Sequence, residues 1–241
     1  AIAGETRESF TAHERLSGQD FRFLLPGPTL SQIEWTACFD HIEGLHPPPA
    51  YLVASGSLPP GVPDDFYARL ATQARASGTR FVLDSSGPAL AAALQVGVHL
   101  FKPSLRELSE LCGTPLRDEQ DWCEAARRLV LEGQAEIVAL SLGEQGALLV
   151  DAERMLRAQA LQVDVHSTIG AGDSFVGALV HALAAGGALE LAFEQAMAAG
   201  AAALSSAGTA LCDPAELVRL RAKVRMQPLR SSPMGSRPSD C

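Results

Sequence analysis

Residues 80–101 run Arg80-Phe81-Val82-Leu83-Asp84-Ser85-Ser86-Gly87-Pro88-Ala89-Leu90-Ala91-Ala92-Ala93-Leu94-Gln95-Val96-Gly97-Val98-His99-Leu100-Phe101. Arg80–Leu83 is a short apolar run with strand character, and Pro88–Gln95 is Ala/Leu-rich with a proline where a helix begins. Gly97 supplies the stop that helix C-termini favour, and Val98–Phe101 resumes strand character. A strand, a crossover helix and a second strand in so short a span form a βαβ unit, which belongs to a parallel sheet with helices on its faces.

The same alternation extends on both sides. Strands are expected at Tyr51–Ala54, Glu136–Ser141 and Ala147–Val150, and helices over Asp64–Ser77, Leu105–Leu111 and Glu119–Glu132. The helices end near Gly78, Gly113 and Gly133, as helix C-termini commonly do. The fold class is therefore α/β: a doubly wound, mainly parallel sheet flanked by helices. Ahead of it, Glu8–Arg15 and Phe21–Leu25 flank the polar Ser17-Gly18-Gln19-Asp20 and suggest a hairpin or edge strands. One domain over residues 1–225 is expected, then a disordered tail over 226–241, built mostly from Pro, Ser, Arg and Gly.

The 241 residues are 47% apolar and 20% charged, enough for one sizeable core, and the net charge is -9. That balance argues against a nucleic-acid partner, because phosphate backbones demand a basic footprint. The five cysteines show no C-x-x-C pair, so reduced thiols in a cytoplasmic setting are expected. Ala178–Leu204 is the most apolar region, but His181, Glu190, Glu194 and Gln195 interrupt it, so buried helices are expected and no membrane span. The chain opens on Ala1, and no signal peptide is expected. It is read as a fragment.

Ser167-Thr168-Ile169-Gly170-Ala171-Gly172-Asp173-Ser174-Phe175-Val176-Gly177-Ala178-Leu179-Val180 carries the chemistry. A glycine-rich turn entering an apolar helix lets backbone approach a ligand, and the unpaired N–H groups and dipole of the helix start favour an anion such as phosphate. Asp173 at that start suits a general base beside a phosphoryl group. It equally suits an N-cap, and composition alone leaves both open. Lys102 can offset phosphate charge and Glu107 can hold a hydrated Mg²⁺, or the two are simply a solvated strand end and helix start. Of the histidines only His166 adjoins this region, and none is assigned a role.

Position by position, Ser167–Val180 resembles the second signature of the PfkB-type carbohydrate kinases of the ribokinase-like superfamily. Ser55-Gly56-Ser57-Leu58-Pro59-Pro60-Gly61, Asp84-Ser85-Ser86-Gly87, Lys102-Pro103-Ser104-x-x-Glu107 and Ser141-Leu142-Gly143-x-x-Gly146 resemble the same family in the same order. The resemblance covers about Gly4 to Val224 and is nearest the phosphofructokinase branch.

It implies ATP-dependent transfer to a sugar phosphate, foremost fructose 6-phosphate, with 1-phosphofructokinase or tagatose 6-phosphate kinase activity as alternatives. A non-catalytic binding module and a kinase of unphosphorylated sugar or nucleoside remain rivals from other classes. Asp173 would be the base, with Gly170, Ala171 and Gly172 as the anion hole. Ser57, Asp84 and Arg7 would face the sugar phosphate, although Arg7 read alone is a surface charge.

Lys102, Ser104, Ser141, Gly143, Gly146 and Ser206 would line the nucleotide, and Glu107 would manage Mg²⁺. Ser167, Ile169 and Gly208 would enclose K⁺, which the residues admit without requiring. Ser104 stands where the family usually has Asn, and it reaches less far. The resemblance further implies a homodimer for the complete protein. It also implies that a first strand with a sugar-binding Asp and most of a lid lie outside this sequence, so the chain alone is expected to bind Mg·ATP weakly and transfer little.

Overall fold

The computed structural model describes residues 1–17, 20–206 and 212–229. β1 (Ser9–His13) and β2 (Asp20–Leu24) pair antiparallel, Ser9 opposite Leu24, and form a two-stranded hairpin of their own. Stacked Phe10 and Phe23 rings, 4.9 Å apart, lie along it. The expected hairpin is therefore present.

The main sheet is built from β3 (Tyr51–Ser55), β4 (Arg80–Asp84), β5 (Val98–Phe101), β6 (Ala135–Ser141), β7 (Ala147–Val150), β8 (Met155–Ala158) and β9 (Met226–Pro228), paired in that order. β3 to β6 run parallel. Their crossovers carry α2 (Phe66–Ala76), α3 (Gly87–Val96), α4 (Leu105–Cys112) and α5 (Glu119–Leu131).

β7 departs from the βαβ alternation. A single turn of 3-10 helix over Gly143–Gln145 joins it to β6, so the pair is antiparallel, with the Leu142 amide bonded to the Gly146 carbonyl at 2.8 Å. β8 and β9 extend the antiparallel side. β9 corrects the expected tail: Met226–Pro228 pair with Leu156–Ala158 of β8, backbone bonding having overridden a composition poor in apolar residues. Residues 230–241 lie outside the described set.

α1 (Gln32–Glu43) has no counterpart in the sequence expectation. It starts with a capping box, Glu34 accepting from the Ser31 amide at 2.7 Å, and lays Trp35, Phe39 and Ile42 against the core. Along the strands, side chains alternate between two cores, as a period of two requires. Phe81, Leu83, Phe101, Val138, Leu140 and Leu148 pack with Leu70, Leu90, Leu108 and Trp122 of α2 to α5. Val82, Leu100, Ile137, Ala139 and Leu149 face the opposite way, onto Phe175, Leu179 and Phe193 of α6 (Ala171–Ala184) and α7 (Leu189–Leu204).

The small residues of α6 and α7 let the two helices approach closely, and a Cβ at Gly200 would stand only 3.4 Å from the Ala171 carbonyl oxygen. α8 (Pro214–Arg221) caps the far end of α7 through buried Leu220. Among the described residues no helix is long and apolar enough to cross a membrane. Phe193 is fully buried and meets the Phe175 ring edge-on at 6.2 Å. Phe193→Ala should therefore cost about 3–5 kcal/mol of unfolding free energy, measurable by urea denaturation.

Candidate functional site

Parallel strands bring their carboxyl ends to one side of a sheet, and the chemistry-bearing residues follow the ends of β3, β4, β5 and β6. Gly56, at φ +99°, turns the chain after β3, and its amide donates to the Asp84 carbonyl at 2.8 Å. The Tyr67 and Ser85 hydroxyls both donate to the Gly56 carbonyl at 2.9 Å, which fixes the ends of β3 and β4 together. At the end of β6, the Ser141 amide and hydroxyl donate to the Pro103 carbonyl at 2.8 and 3.1 Å.

α6 closes this edge. Its N-cap, Gly170, has φ +77°, a left-handed conformation that glycine adopts without strain, and the amides of Ala171, Gly172 and Asp173 then begin the helix with no earlier turn to bond. A Cβ on Gly172 would stand 3.7 Å from Lys102 Nζ, so the ammonium lies against the first turn of α6. Lys102 is buried and pairs with Asp84 at 3.1 Å. Burial pushes the Asp84 carboxyl above its ordinary value, Lys102 opposes this, and the charges of Glu107 and Asp173 push it further up. Asp84, Lys102, Glu107 and Asp173 therefore form one electrostatic cluster.

The N-cap reading of Asp173 is overturned. The cap is Gly170, and Asp173 is the third helical residue, exposed, with Oδ1 accepting from the Ser55 hydroxyl at 3.2 Å across from β3. Ser55 was not anticipated as a site residue, although it lies inside the quoted Ser55–Gly61 motif. Glu107 does sit in a capping box: Oε2 accepts from the Ser104 amide at 2.8 Å, and the Glu107 amide donates to Ser104 Oγ at 3.3 Å. This holds the carboxylate at the start of α4. Mg²⁺ takes few protein carboxylates and keeps its waters, so a single well-held glutamate suits it, and among the described residues no three His, Cys, Asp or Glu side chains gather as a metal cage.

The Lys102–Asp84 ion pair joins the residue expected on the nucleotide side to the one expected on the sugar side. Gly143 and Gly146 occupy the β6–β7 turn at φ +58° and +94°. Ser57 is exposed just past the β3 turn.

Arg7 packs beside Gly27 before β1, and among the described residues no hydrogen bond or ion pair joins it to Asp84, Lys102 or Asp173. Ser167 is buried, its Oγ accepting from the Ile169 amide at 3.2 Å and its own amide bonding Leu204 at the end of α7. Ser206 closes α7 with a hydroxyl bond to the Ala202 carbonyl at 3.3 Å. Gly208 lies outside the described residues. A cavity of about 200 Å³ lies at the amino ends of β4 and β5, beside Arg75, Arg80, His99 and Glu136. Cys38, Cys112, Cys123 and Cys212 are free, and burial pushes the Cys123 thiol up to about 11, so it is no nucleophile at neutral pH.

A family model described as pfkB family carbohydrate kinase matches residues 2–216. The chain is 42% identical over 218 residues to the ATP-dependent 6-phosphofructokinase isozyme 2 of Mycobacterium tuberculosis, covering 90% of this chain and 64% of that protein. It is 36% identical to a 1-phosphofructokinase of Xanthomonas campestris, covering 76% of this chain and 58% of the relative. Phosphofructokinase-2 of Escherichia coli, solved in complex with potassium, superposes with a TM-score of 0.86 at 39% identity, covering 90% of this chain and 71% of that one. The same protein in a structure described as its tetrameric inhibited form gives 0.83 at 37% identity, covering 90% and 70%.

The Lys102–Asp84 pair generates a test. Lys102→Met strands a largely buried carboxylate and should cost about 3 kcal/mol, whereas the double change Lys102→Met with Asp84→Asn should recover most of that loss. Without Lys102 the folded-state pKa of Asp84 rises further above its unfolded value, and the penalty is full above that raised pKa. The loss should therefore shrink as pH falls through the raised value, as read by denaturant midpoints across pH.

Proposed function

The chain belongs to the pfkB family of carbohydrate kinases, and from that premise we propose that the whole protein transfers the γ-phosphoryl group of ATP to fructose 6-phosphate. The observation that carries the reading is the convergence of three groups. Asp173, held by Ser55, stands in the first turn of α6, beside unpaired amides and against the Lys102 ammonium. Phosphoryl transfer asks a protein chiefly to position and to neutralise, and these groups supply both.

Asp173 accepts the proton of the attacking sugar hydroxyl, which frees that oxygen to attack in line. The amides of Ala171 to Asp173, with the Gly170 turn, and the Lys102 ammonium stabilise the charge spread over the transferring group. Nucleotide lies along the Lys102–Ser104 and Ser141–Gly146 segments and toward Ser206. Ser57 and Arg7 meet the sugar phosphate, Arg7 by a bidentate guanidinium grip. Glu107 would hold Mg²⁺ through its waters, and the ion's charge would neutralise the triphosphate. Ser167, tied to the end of α7, and Ile169 would supply oxygens to K⁺, which accompanies the E. coli relative.

Cytoplasmic residence follows from this reading. So does self-association through the hairpin, where Phe10 is 55% and Phe23 47% exposed and an apolar partner surface would be covered. The likeness to a 1-phosphofructokinase favours fructose 1-phosphate as the second acceptor. A coupled assay comparing fructose 6-phosphate, fructose 1-phosphate and fructose separates the readings, and turnover with none of them, alongside nucleotide binding, would leave a binding module.

Two variants test the assignments in the whole protein. Asp173→Asn should lower kcat by on the order of 10²-fold or more while nucleotide affinity holds, and a variant retaining most of its kcat would remove the base. Arg7→Ala should raise KM for the sugar phosphate on the order of tenfold and spare KM for ATP. The reverse pattern would take Arg7 out of the site.

A further inference from the structure

The β6–β7 turn is held from within by short backbone bonds and by the buried side chain of Leu142. Gly143 and Gly146 both adopt positive φ and contribute no side chain, and the turn's own backbone bonds are three: Gln145 amide to Leu142 carbonyl, Gly146 amide to Gly143 carbonyl and Leu142 amide to Gly146 carbonyl. From outside, among the described residues, one side chain of β8 also bonds its backbone. Arg157, its side chain 11% exposed, donates through Nη2 to the Gln145 carbonyl at 2.6 Å and through Nη1 to the Ala147 carbonyl at 3.3 Å and to the Ala158 carbonyl. Its Nε pairs with Glu119 Oε2 at 2.9 Å, anchoring the guanidinium to the first turn of α5. The guanidinium thus bonds one carbonyl inside the turn, one where β7 leaves it and one on the strand it presses against.

Gly146 marks the same contact, since a Cβ there would stand 2.2 Å from the Ala158 carbonyl oxygen. No other side-chain type makes this clamp: a planar fork with five donors spans several carbonyls, where a lysine ammonium meets them as a point charge. With three of its nitrogens engaged on protein, Arg157 acts on any ligand through the turn.

We propose that Arg157 is a positioning residue for nucleotide binding. It holds the Gly143–Gly146 turn in its binding conformation before the nucleotide arrives, so that ordering the turn does not weaken the complex. The inference rests on the proposed assignment of this turn to the nucleotide.

The test is calorimetric titration of the chain with the magnesium complex of a non-hydrolysable ATP analogue, beside thermal melts and backbone amide exchange of Gln145 to Ala147. Arg157→Met should raise Kd on the order of tenfold and speed exchange in the turn, with Arg157→Lys restoring only part of the affinity. Glu119→Gln leaves the carbonyl bonds in place and should change Kd by less than about twofold. In the whole protein, KM for ATP should rise while kcat and the sugar-phosphate KM stay within about twofold.

Should Arg157→Met fail to fold, Arg157→Lys carries the same comparison. A variant that melts lower yet binds the analogue as tightly as the unsubstituted chain would reduce Arg157 to a stabilising residue and overturn the inference alone. An unsubstituted chain that binds no nucleotide would overturn it together with the nucleotide assignment.

Discussion

One ammonium among three carboxylates sets the terms for this molecule. Lys102 and Asp84 lie 3.1 Å apart with side chains 8% and 18% exposed, and charges so far from water persist only when paired. Pairing ties the end of β4 to the residue after β5, and the same ammonium supports the first turn of α6. Three separate crossings of the chain are thus drawn to one charge. The remaining carboxylates, Glu107 and Asp173, are near enough to push on Asp84, so the cluster is acidic before any ligand arrives. An anion settling there relies on the amides of α6, on Lys102 and on whatever cation accompanies it.

That arrangement is available because the apolar positions in the middle of the sheet alternate between two cores. Phe81 and Leu83 face α2 to α5 while Val82 between them faces α6 and α7. With both faces covered, the middle of the sheet is mainly apolar, and the residues of the candidate site stand at the strand ends. The parallel run from β3 to β6 gathers those ends on one side, where Ser55 lies opposite Asp84 and Ser104 opposite Ser141.

Much of this was legible in the sequence, for identifiable reasons. The five expected strands are present because each is a short, mainly apolar run bounded by turn residues, and the helix ends at Gly97 and Gly113 carry the positive φ that glycine tolerates. α1 went unread although Ser31-x-x-Glu34 and the spacing of Trp35, Phe39 and Ile42 announce it, because an exposed, mixed helix shows weak periodicity. β8 and β9 are four and three residues long, too short for any pattern to emerge. The Asp84–Lys102 pair could not be read from spacing, since a crossover helix separates its partners in the chain.

For Glu107 the structural role seen and the chemical role proposed need not compete. A glutamate closing a capping box loses one oxygen to the Ser104 amide, and with it most of its rotamer freedom. A ligand carboxylate on a mobile side chain would forfeit that entropy on binding, whereas one already fixed by its own helix start does not. Ser104 fits the same logic: too short to reach where an asparagine would, it spends its hydroxyl on the Glu107 amide and its backbone on the bridge to Ser141. The two serines thereby lock the end of β5 to the end of β6, immediately before the turn that Arg157 holds. Rigidity in this molecule is concentrated in the backbone beneath the site, and the carboxylate that stays exposed, Asp173, is the one whose proposed task requires it to exchange a proton.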